Sequence, residues 1–76
     1  MAKHTAAFED LRYRIAVNTV RLRAERGLTA KMVGNAAGLN LNSVYRAEHP
    51  AMGDLSLRTL VSLAGALDVT VPELLQ

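Results

Sequence analysis

Residues Gly27–Glu48, with the sequence GLTAKMVGNAAGLNLNSVYRAE, decide the fold of this chain. The spacing predicts two short helices that meet at Gly38, the first running from Thr29 to Ala37. The second helix begins after a cap at Asn40 and packs only through Val44 and Ala47. Two helices joined through a glycine turn, the second of them polar, are typical of the helix-turn-helix that lays one helix in the DNA major groove.

The composition predicts one small globular domain that spans residues 1–76. Half of the 76 residues are apolar, which is enough for a core. Cysteine is absent, which excludes a disulfide framework and a thiolate metal site and agrees with a reducing compartment. No apolar run has the length of a signal peptide or a membrane span. We therefore expect a cytoplasmic, nucleoid-associated protein that makes no membrane contact, with residues 1–5 flexible.

The charges are distributed unevenly along the chain. Residues 1–46 hold eight Lys and Arg against three acidic residues, whereas residues 47–76 hold one Arg against four acidic residues. The basic part coincides with the proposed helix pair, which suits a polyanion-binding face. The alternative is that these Arg residues only solubilise a long first helix, and we expect Arg12, Arg14 and Arg21 to form such a solvated face.

Apolar spacing and capping residues predict a compact all-α domain of five helices. Helix 1 covers Ala6–Arg26, Ser56 caps helix 4, and Thr70 opens helix 5 through a capping box with Glu73. Residues 49–54 are predicted to form a loop. The positions expected to face the core are Phe8, Leu11, Ile15, Thr19 and Leu22 in helix 1, Met32 or Val33 with Ala36 and Ala37 in helix 2, Val44 and Ala47 in helix 3, and Leu57, Leu60, Val61, Leu63, Ala64 and Leu67 in helix 4.

Catalytic and metal-binding patterns are missing from the sequence. His4 and His49 are isolated, and no second imidazole or carboxylate stands at metal-ligand spacing from either. We expect His49 to contact backbone at the end of helix 3. The sequence therefore predicts no enzyme, no metal, no cofactor and no small-molecule substrate.

The order of elements around these motifs resembles the lambda-repressor/Cro-type (XRE-like) helix-turn-helix family. The resemblance rests on G-L-T, A-A-G-L-N, a short polar helix ending in Glu, S-L-x-T-L-x-x-L-A-x-A-L-x-V and P-E-L-L, and it covers about residues 15–75. It implies a lambda-repressor-like domain that binds double-stranded DNA, with the helix-turn-helix at helices 2 and 3. It also implies an ion pair of structural importance between Arg23 and Glu48.

The resemblance assigns DNA contacts residue by residue. Arg46 and Asn42 are the candidates for guanine and adenine readout, and Leu41 either touches a thymine methyl or folds back as a staple. The alternatives are a solvated Arg46 and local capping by Asn42. The residues expected to contact the DNA backbone are Thr29, Lys31, Asn40, Ser43 and Tyr45.

Two positions depart from the family pattern. Ala30 replaces the usual Gln after the residue that opens helix 2, so one DNA anchor is absent. Gly34 replaces a small residue that is most often Ala, which keeps the close helix approach but weakens the helix by up to ~1 kcal/mol. These departures affect the expected DNA affinity and leave the fold unchanged.

The leading hypothesis is a sequence-specific, repressor-like transcriptional regulator that acts as a homodimer, because one recognition helix covers only a half-site. The candidate dimer patch is formed by Val69, Val71, Leu74 and Leu75, which alternatively close the core of a monomer. A second hypothesis is a protein-interaction module of helix-turn-helix shape, antitoxin-like or adaptor-like, that does not read DNA.

Overall fold

Five α-helices follow one another in the computed structural model, which describes residues 5–76, and this part contains no strand. The helices are α1 (Thr5–Glu25), α2 (Ala30–Ala37), α3 (Leu41–Glu48), α4 (Leu57–Ala66) and α5 (Val71–Leu75). The predicted all-α, five-helix fold is confirmed. The expected flexibility of residues 1–5 falls on residues 1–4, outside the described part, and on Thr5, where α1 begins.

Local sequence explains where the helices begin and end. The side chains of Thr29, Asn40 and Ser56 each accept the backbone N–H three residues on, as N-cap residues do. Gly27 and Gly38 have φ values of 65° and 70°, the left-handed conformation that glycine adopts without steric cost after a helix. The predicted turns at both glycines are therefore present.

The core lies where α2, α3, α4 and α5 converge on the C-terminal half of α1. Its buried members are Leu22, Ala30, Val33, Val44, Ala47, Leu63, Ala64, Leu67 and Leu74. α1 packs against α3 and α5, while α2 packs against α3 and α4. The α2–α3 pair is therefore supported from both sides, and the second helix of the pair keeps only one face in the core.

Several predicted core positions are wrong. In α2, the inward position is Val33 rather than Met32, so the expected alternative of Met32 or Val33 is met by Val33, and Gly34 is buried beside it, whereas Ala36 is exposed. Leu11 is 43% exposed in α1. In α4, the covering helices reach Leu63, Ala64 and Leu67, and they leave Leu57 and Val61 exposed at 71% and 55%.

The segment predicted as a loop contains a single 3₁₀ turn, Pro50–Met52. The Met52 N–H donates to the His49 carbonyl at 2.9 Å, and the Gly53 N–H donates to the Pro50 carbonyl at 3.2 Å. Proline suits the first position of such a turn because its missing N–H needs no partner there. The turn packs against α1 and α3.

Candidate nucleic-acid interface

The outward face of α3 carries the candidate base-reading side chains. Val44 and Ala47 have no exposed surface, and Asn42 and Arg46 project from the opposite side, one helical turn apart. Leu41 and Tyr45 flank them and are 40% and 45% exposed, respectively. Ser43 is half-buried. The structure thus gathers the five predicted α3 residues on one side of the helix or at its margin.

The N-terminus of α2, the other predicted DNA-contacting segment, is capped by Thr29. The Thr29 hydroxyl accepts the Met32 N–H at 3.1 Å. The other first-turn amides carry the partial positive charge of a helix N-terminus, which attracts phosphate, and the exposed Lys31 adds a full charge. Ala30 packs in the core and has no polar group that could contact DNA at this helix start.

The turn between α2 and α3 is tight because Gly34 has no side chain. The Leu39 N–H donates to the Gly34 carbonyl at 2.8 Å. A Cβ atom at Gly34 would lie 2.9 Å from the Leu39 carbonyl oxygen and 3.4 Å from a Val44 methyl carbon. At Asn40, which follows at once, the side-chain carbonyl accepts the Ser43 N–H at 2.8 Å and so begins α3.

An ion pair ties α1 to the end of α3. Arg23 Nε and Nη2 donate to the two carboxylate oxygens of Glu48 at 2.7 and 3.1 Å, and Arg23 Nη1 donates to the Leu28 carbonyl at 3.2 Å. The Glu48 side chain is only 6% exposed. Its hydrogen bond raises the pKa of the Arg23 guanidinium, with burial acting in the opposite sense. The pair expected from the sequence is present, and it is bidentate.

Arg12 contradicts the expectation of a solvated face. It is 3% exposed, and its guanidinium donates to the carbonyls of Arg46, His49 and Gly53 at 2.8, 3.3 and 2.6 Å. A longer bond of 3.4 Å reaches the Ala47 carbonyl. Burial lowers the pKa of Arg12, and the carboxylate of Asp54 opposes this effect.

One sequence signal could have found this buried arginine. Position 12 lies three and four residues before Ile15 and Ala16 and seven before Thr19, on the same buried face of α1. Arg14 and Arg21, by contrast, are half-exposed and form surface ion pairs with Asp10 and Glu25. The expectation of a solvated face is correct for these two residues.

The side chains near the end of α3 also contact local backbone. Arg46 is exposed, and its Nη1 lies 3.5 Å from the Met52 carbonyl oxygen, at the outer limit of a hydrogen bond. His49 Nδ1 lies 2.7 Å from the Tyr45 carbonyl oxygen. The expected backbone contact of His49 is therefore present, and Arg46 retains a loosely held guanidinium.

The predicted dimer patch is only partly a surface. Leu74 has no exposed area and closes the core, so its assignment to an exposed patch is wrong. Its side chain packs in the apolar core, and its carbonyl accepts a hydrogen bond at 2.8 Å from Asn18, which is buried in α1. Val69, Val71 and Leu75 are half-buried.

Clusters of metal ligands and long apolar helices are both absent from residues 5–76. Within this range, no three His, Cys, Asp or Glu side chains come together in a way that would hold a metal ion. None of the described helices is long and apolar enough to cross a membrane.

The fold of this chain is similar to that of a solved structure. No family model and no curated protein matches the sequence. Among solved structures, the restriction-modification controller protein C.AhdI from Aeromonas hydrophila is 27% identical, with a TM-score of 0.76, over 83% of this chain and 94% of that protein. The superposition therefore covers nearly the whole of the controller protein and most of this domain. The shared fold, together with the capped α2–Gly38–α3 unit and the Arg23–Glu48 pair, agrees with the resemblance of this chain to the lambda-repressor/Cro-type helix-turn-helix family.

Proposed function

We propose that this chain is a DNA-binding transcriptional regulator of the repressor-like type, acting in the cytoplasm on nucleoid DNA. α3 lies in the major groove and reads one half-site, and two copies bind a palindrome. One observation carries the proposal: Asn42 and Arg46 project side by side from a helix whose opposite face is locked in the core. The likeness to a restriction-modification controller protein supports it.

Arg46 and Asn42 are the base readers in this proposal. A guanidinium can donate two hydrogen bonds to guanine O6 and N7, and a side-chain amide can pair with adenine N6 and N7. Arg46 is suited to this role because its contact with the Met52 carbonyl, at 3.5 Å, is weak and is easily exchanged for a base. Leu41, 40% exposed at the start of α3, supplies an apolar contact to a thymine methyl.

Contacts to the DNA backbone would come from the N-terminus of α2 and from α3. Thr29 and Lys31 at α2 approach one phosphate, and Ser43 and Tyr45 approach the other strand. Asn40 uses its side-chain carbonyl as a cap. Its amide NH₂ is therefore directed away from that bond and can donate to a phosphate oxygen. These contacts place α3 in the groove and carry no sequence information themselves.

The homodimer is proposed to form through α4 and the cleft beside it. Leu57 and Val61 lie one turn apart on α4 and are 71% and 55% exposed, an apolar surface for which the described chain supplies no cover. The adjoining cleft is lined by Leu11, Leu60 and Leu75. Leu75 is the one member of the C-terminal patch predicted from sequence that lines this cleft. A second copy is the occupant because readout of a palindrome needs a two-fold axis.

A second candidate function is supported by a separate apolar stripe on α1. Tyr13, Val17 and Val20 follow one another at helical spacing and are 63%, 42% and 41% exposed. They line a shallow groove with Pro50, on the other side of α1 from Leu11. This stripe is the observation that favours a protein-interaction module, because a partner helix could pack along it.

The test begins with selection of bound sites from a random DNA pool. We expect a palindromic operator whose binding weakens steeply as salt rises, because phosphate contacts release counterions. Failure to bind any DNA at low salt would exclude the regulator and leave the interaction module.

Two variants then separate base readout from backbone contact. Arg46→Ala should lose discrimination at one operator base, by about 1–3 kcal/mol, whereas Lys31→Ala should weaken binding to all sequences alike. Binding isotherms against the operator and a scrambled duplex measure both effects. Equal losses on the two DNAs for both variants would make Arg46 a phosphate contact.

A further inference from the structure

The C-terminal end of α3 is held by the side chain of Arg12, which is almost completely buried. The Arg12 guanidinium, carried by α1, reaches the carbonyls of Arg46, His49 and Gly53 at 2.6–3.3 Å. The last carbonyls of any helix have no intrahelical partner. Of the carbonyls that Arg12 reaches, that of Arg46 belongs to the last turn of α3, and the positive charge of Arg12 lies at the negative end of the α3 dipole.

The same guanidinium also orders the segment that follows α3. The Pro50–Met52 turn lies between His49 and Gly53, and Arg12 binds the carbonyls at both of its ends. Gly53 has a φ of 98°, a conformation in which its carbonyl can point back toward α1. The turn in turn presents the Met52 carbonyl to Arg46. Arg12 therefore contacts both the main chain of Arg46 and the segment that receives the Arg46 side chain.

We propose that Arg12 is a positioning residue for sequence readout: it sets the direction of the last turn of α3 and thereby places Arg46 against its base. The inference rests on the proposed DNA-binding function. Arg12 itself is 3% exposed, so the proposal gives it no direct contact with DNA. Its effect is on discrimination between sequences, since misdirecting a bidentate donor by a fraction of a bond length removes its specificity while the phosphate contacts persist.

Arg12→Lys tests the proposal. Lysine keeps the charge and the length, but a single ammonium has no planar fork and cannot span carbonyls that lie around the plane of a guanidinium. Arg14→Lys, two residues along α1 and half-exposed, is the matched control. Thermal unfolding curves are recorded for the wild type and both variants. Binding is then measured at a temperature at which all three proteins are fully folded.

The binding readout uses the operator selected with the wild-type protein and a scrambled duplex of the same length. We expect Arg12→Lys to lower the ratio of specific to non-specific affinity by about tenfold, the share of one bidentate base contact. Binding to the scrambled duplex should change by less than about twofold, because that binding depends on phosphates. In a cycle with Arg46→Ala, the two losses should not add, since both remove the same contact. Additive losses, or an unchanged ratio, would overturn the proposal.

Amide hydrogen exchange of residues 46–53 gives a readout that needs no DNA. Arg12→Lys should raise exchange in this segment relative to Arg14→Lys, because the guanidinium no longer joins the carbonyls at the two ends of the turn to α1. Unchanged exchange would overturn the positioning role even if DNA binding is observed. Raised exchange in a protein that binds no DNA would leave the structural step intact and refute the proposed function on its own.

Discussion

α2 and α3 approach each other at Gly34, where a Cβ atom would lie 2.9 Å from the Leu39 carbonyl oxygen. Alanine is the better helix former by about 1 kcal/mol, so propensity alone favours Gly34→Ala. The neighbouring atom belongs to backbone, however, and overpacking of this kind costs about 1–3 kcal/mol. We expect Gly34→Ala to lower the free energy of unfolding by about 1 kcal/mol in urea or thermal denaturation.

The chain supplies a matched control for this prediction. Gly65 lies in the exposed part of α4, and a Cβ atom at this position would have no neighbouring atom within 4 Å. Gly65→Ala should therefore raise stability by about 0.5–1 kcal/mol. If Gly34→Ala stabilises the protein as much as Gly65→Ala does, the tight approach of α2 and α3 is incorrect.

The Arg23–Glu48 pair makes a second prediction at the scale of single residues. The Glu48 side chain is 6% exposed and accepts two hydrogen bonds from Arg23. Glu48→Gln removes the negative charge and one of the two acceptor oxygens, so the Arg23 guanidinium loses its ion-pair partner. We expect a loss of about 2 kcal/mol in the free energy of unfolding, as for hydrogen bonds to charged groups. The comparison is Asp10→Asn, which removes the exposed partner of Arg14 and should cost less than about 0.5 kcal/mol. Equal costs would refute a structural role for the Arg23–Glu48 pair.

At the scale of elements, α1 acts as a support for the ends of two other helices. Arg12 binds the carbonyls that end α3, and Asn18 donates to the carbonyls of Leu74 and Gln76 at 2.8 and 3.0 Å, at the end of α5. Both side chains are buried, on the face of α1 that also carries Ile15. Helix C-termini that are buried without donors are costly, so these two polar residues make the packing possible.

The helix starts were predictable from sequence, whereas the acceptor groups of these buried side chains were not. Caps such as Thr29 and Asn40 act on amides three residues away, so the information that places them is local. The partners of Arg12 lie more than 30 residues away along the chain, and only the packing of α3 on α1 reveals them. In the same way, the exposure of Leu57 depends on how far the neighbouring helices extend over α4. The periodicity of apolar residues in the sequence does not predict that extent.

The N-terminus of α5 should make stability depend on pH. The Thr70 N–H and hydroxyl donate to the Glu73 carboxylate at 2.7 and 3.1 Å, and these bonds lower the pKa of Glu73 from its ordinary value. Since the folded state favours the charged form, the stabilisation is complete above the unfolded pKa and is lost as the pH falls through the folded pKa. Between about pH 6 and about pH 3, the free energy of unfolding should fall more for the wild type than for Glu73→Gln. Parallel pH profiles from chemical denaturation would contradict the capping box.

At the scale of the whole molecule, charge and apolar surface are separated. Within the described residues, the basic side chains of the first 46 positions lie on α1, on the helix pair or directly after α1, whereas α4 and α5 together carry only Arg58 and Glu73 as charged residues. The exposed apolar side chains Leu57 and Val61 lie on α4, in this sparsely charged part. Two copies that met through α4 would keep their basic faces apart from the contact and available to one DNA duplex.

The dimer surface gives the last prediction. Leu57→Glu places a charge at the centre of the proposed contact, where burial of an unpaired carboxylate opposes association, and leaves the core untouched because Leu57 is 71% exposed. We expect the dimer dissociation constant, measured by sedimentation velocity over a concentration series, to rise at least about tenfold. Val17→Glu makes the same change on the other apolar stripe, at 42% exposure, and should leave the dimer intact. If Val17→Glu dissociates the dimer while Leu57→Glu does not, the two-fold axis passes through α1, and the orientation of the two α3 helices on DNA must be rebuilt around that axis.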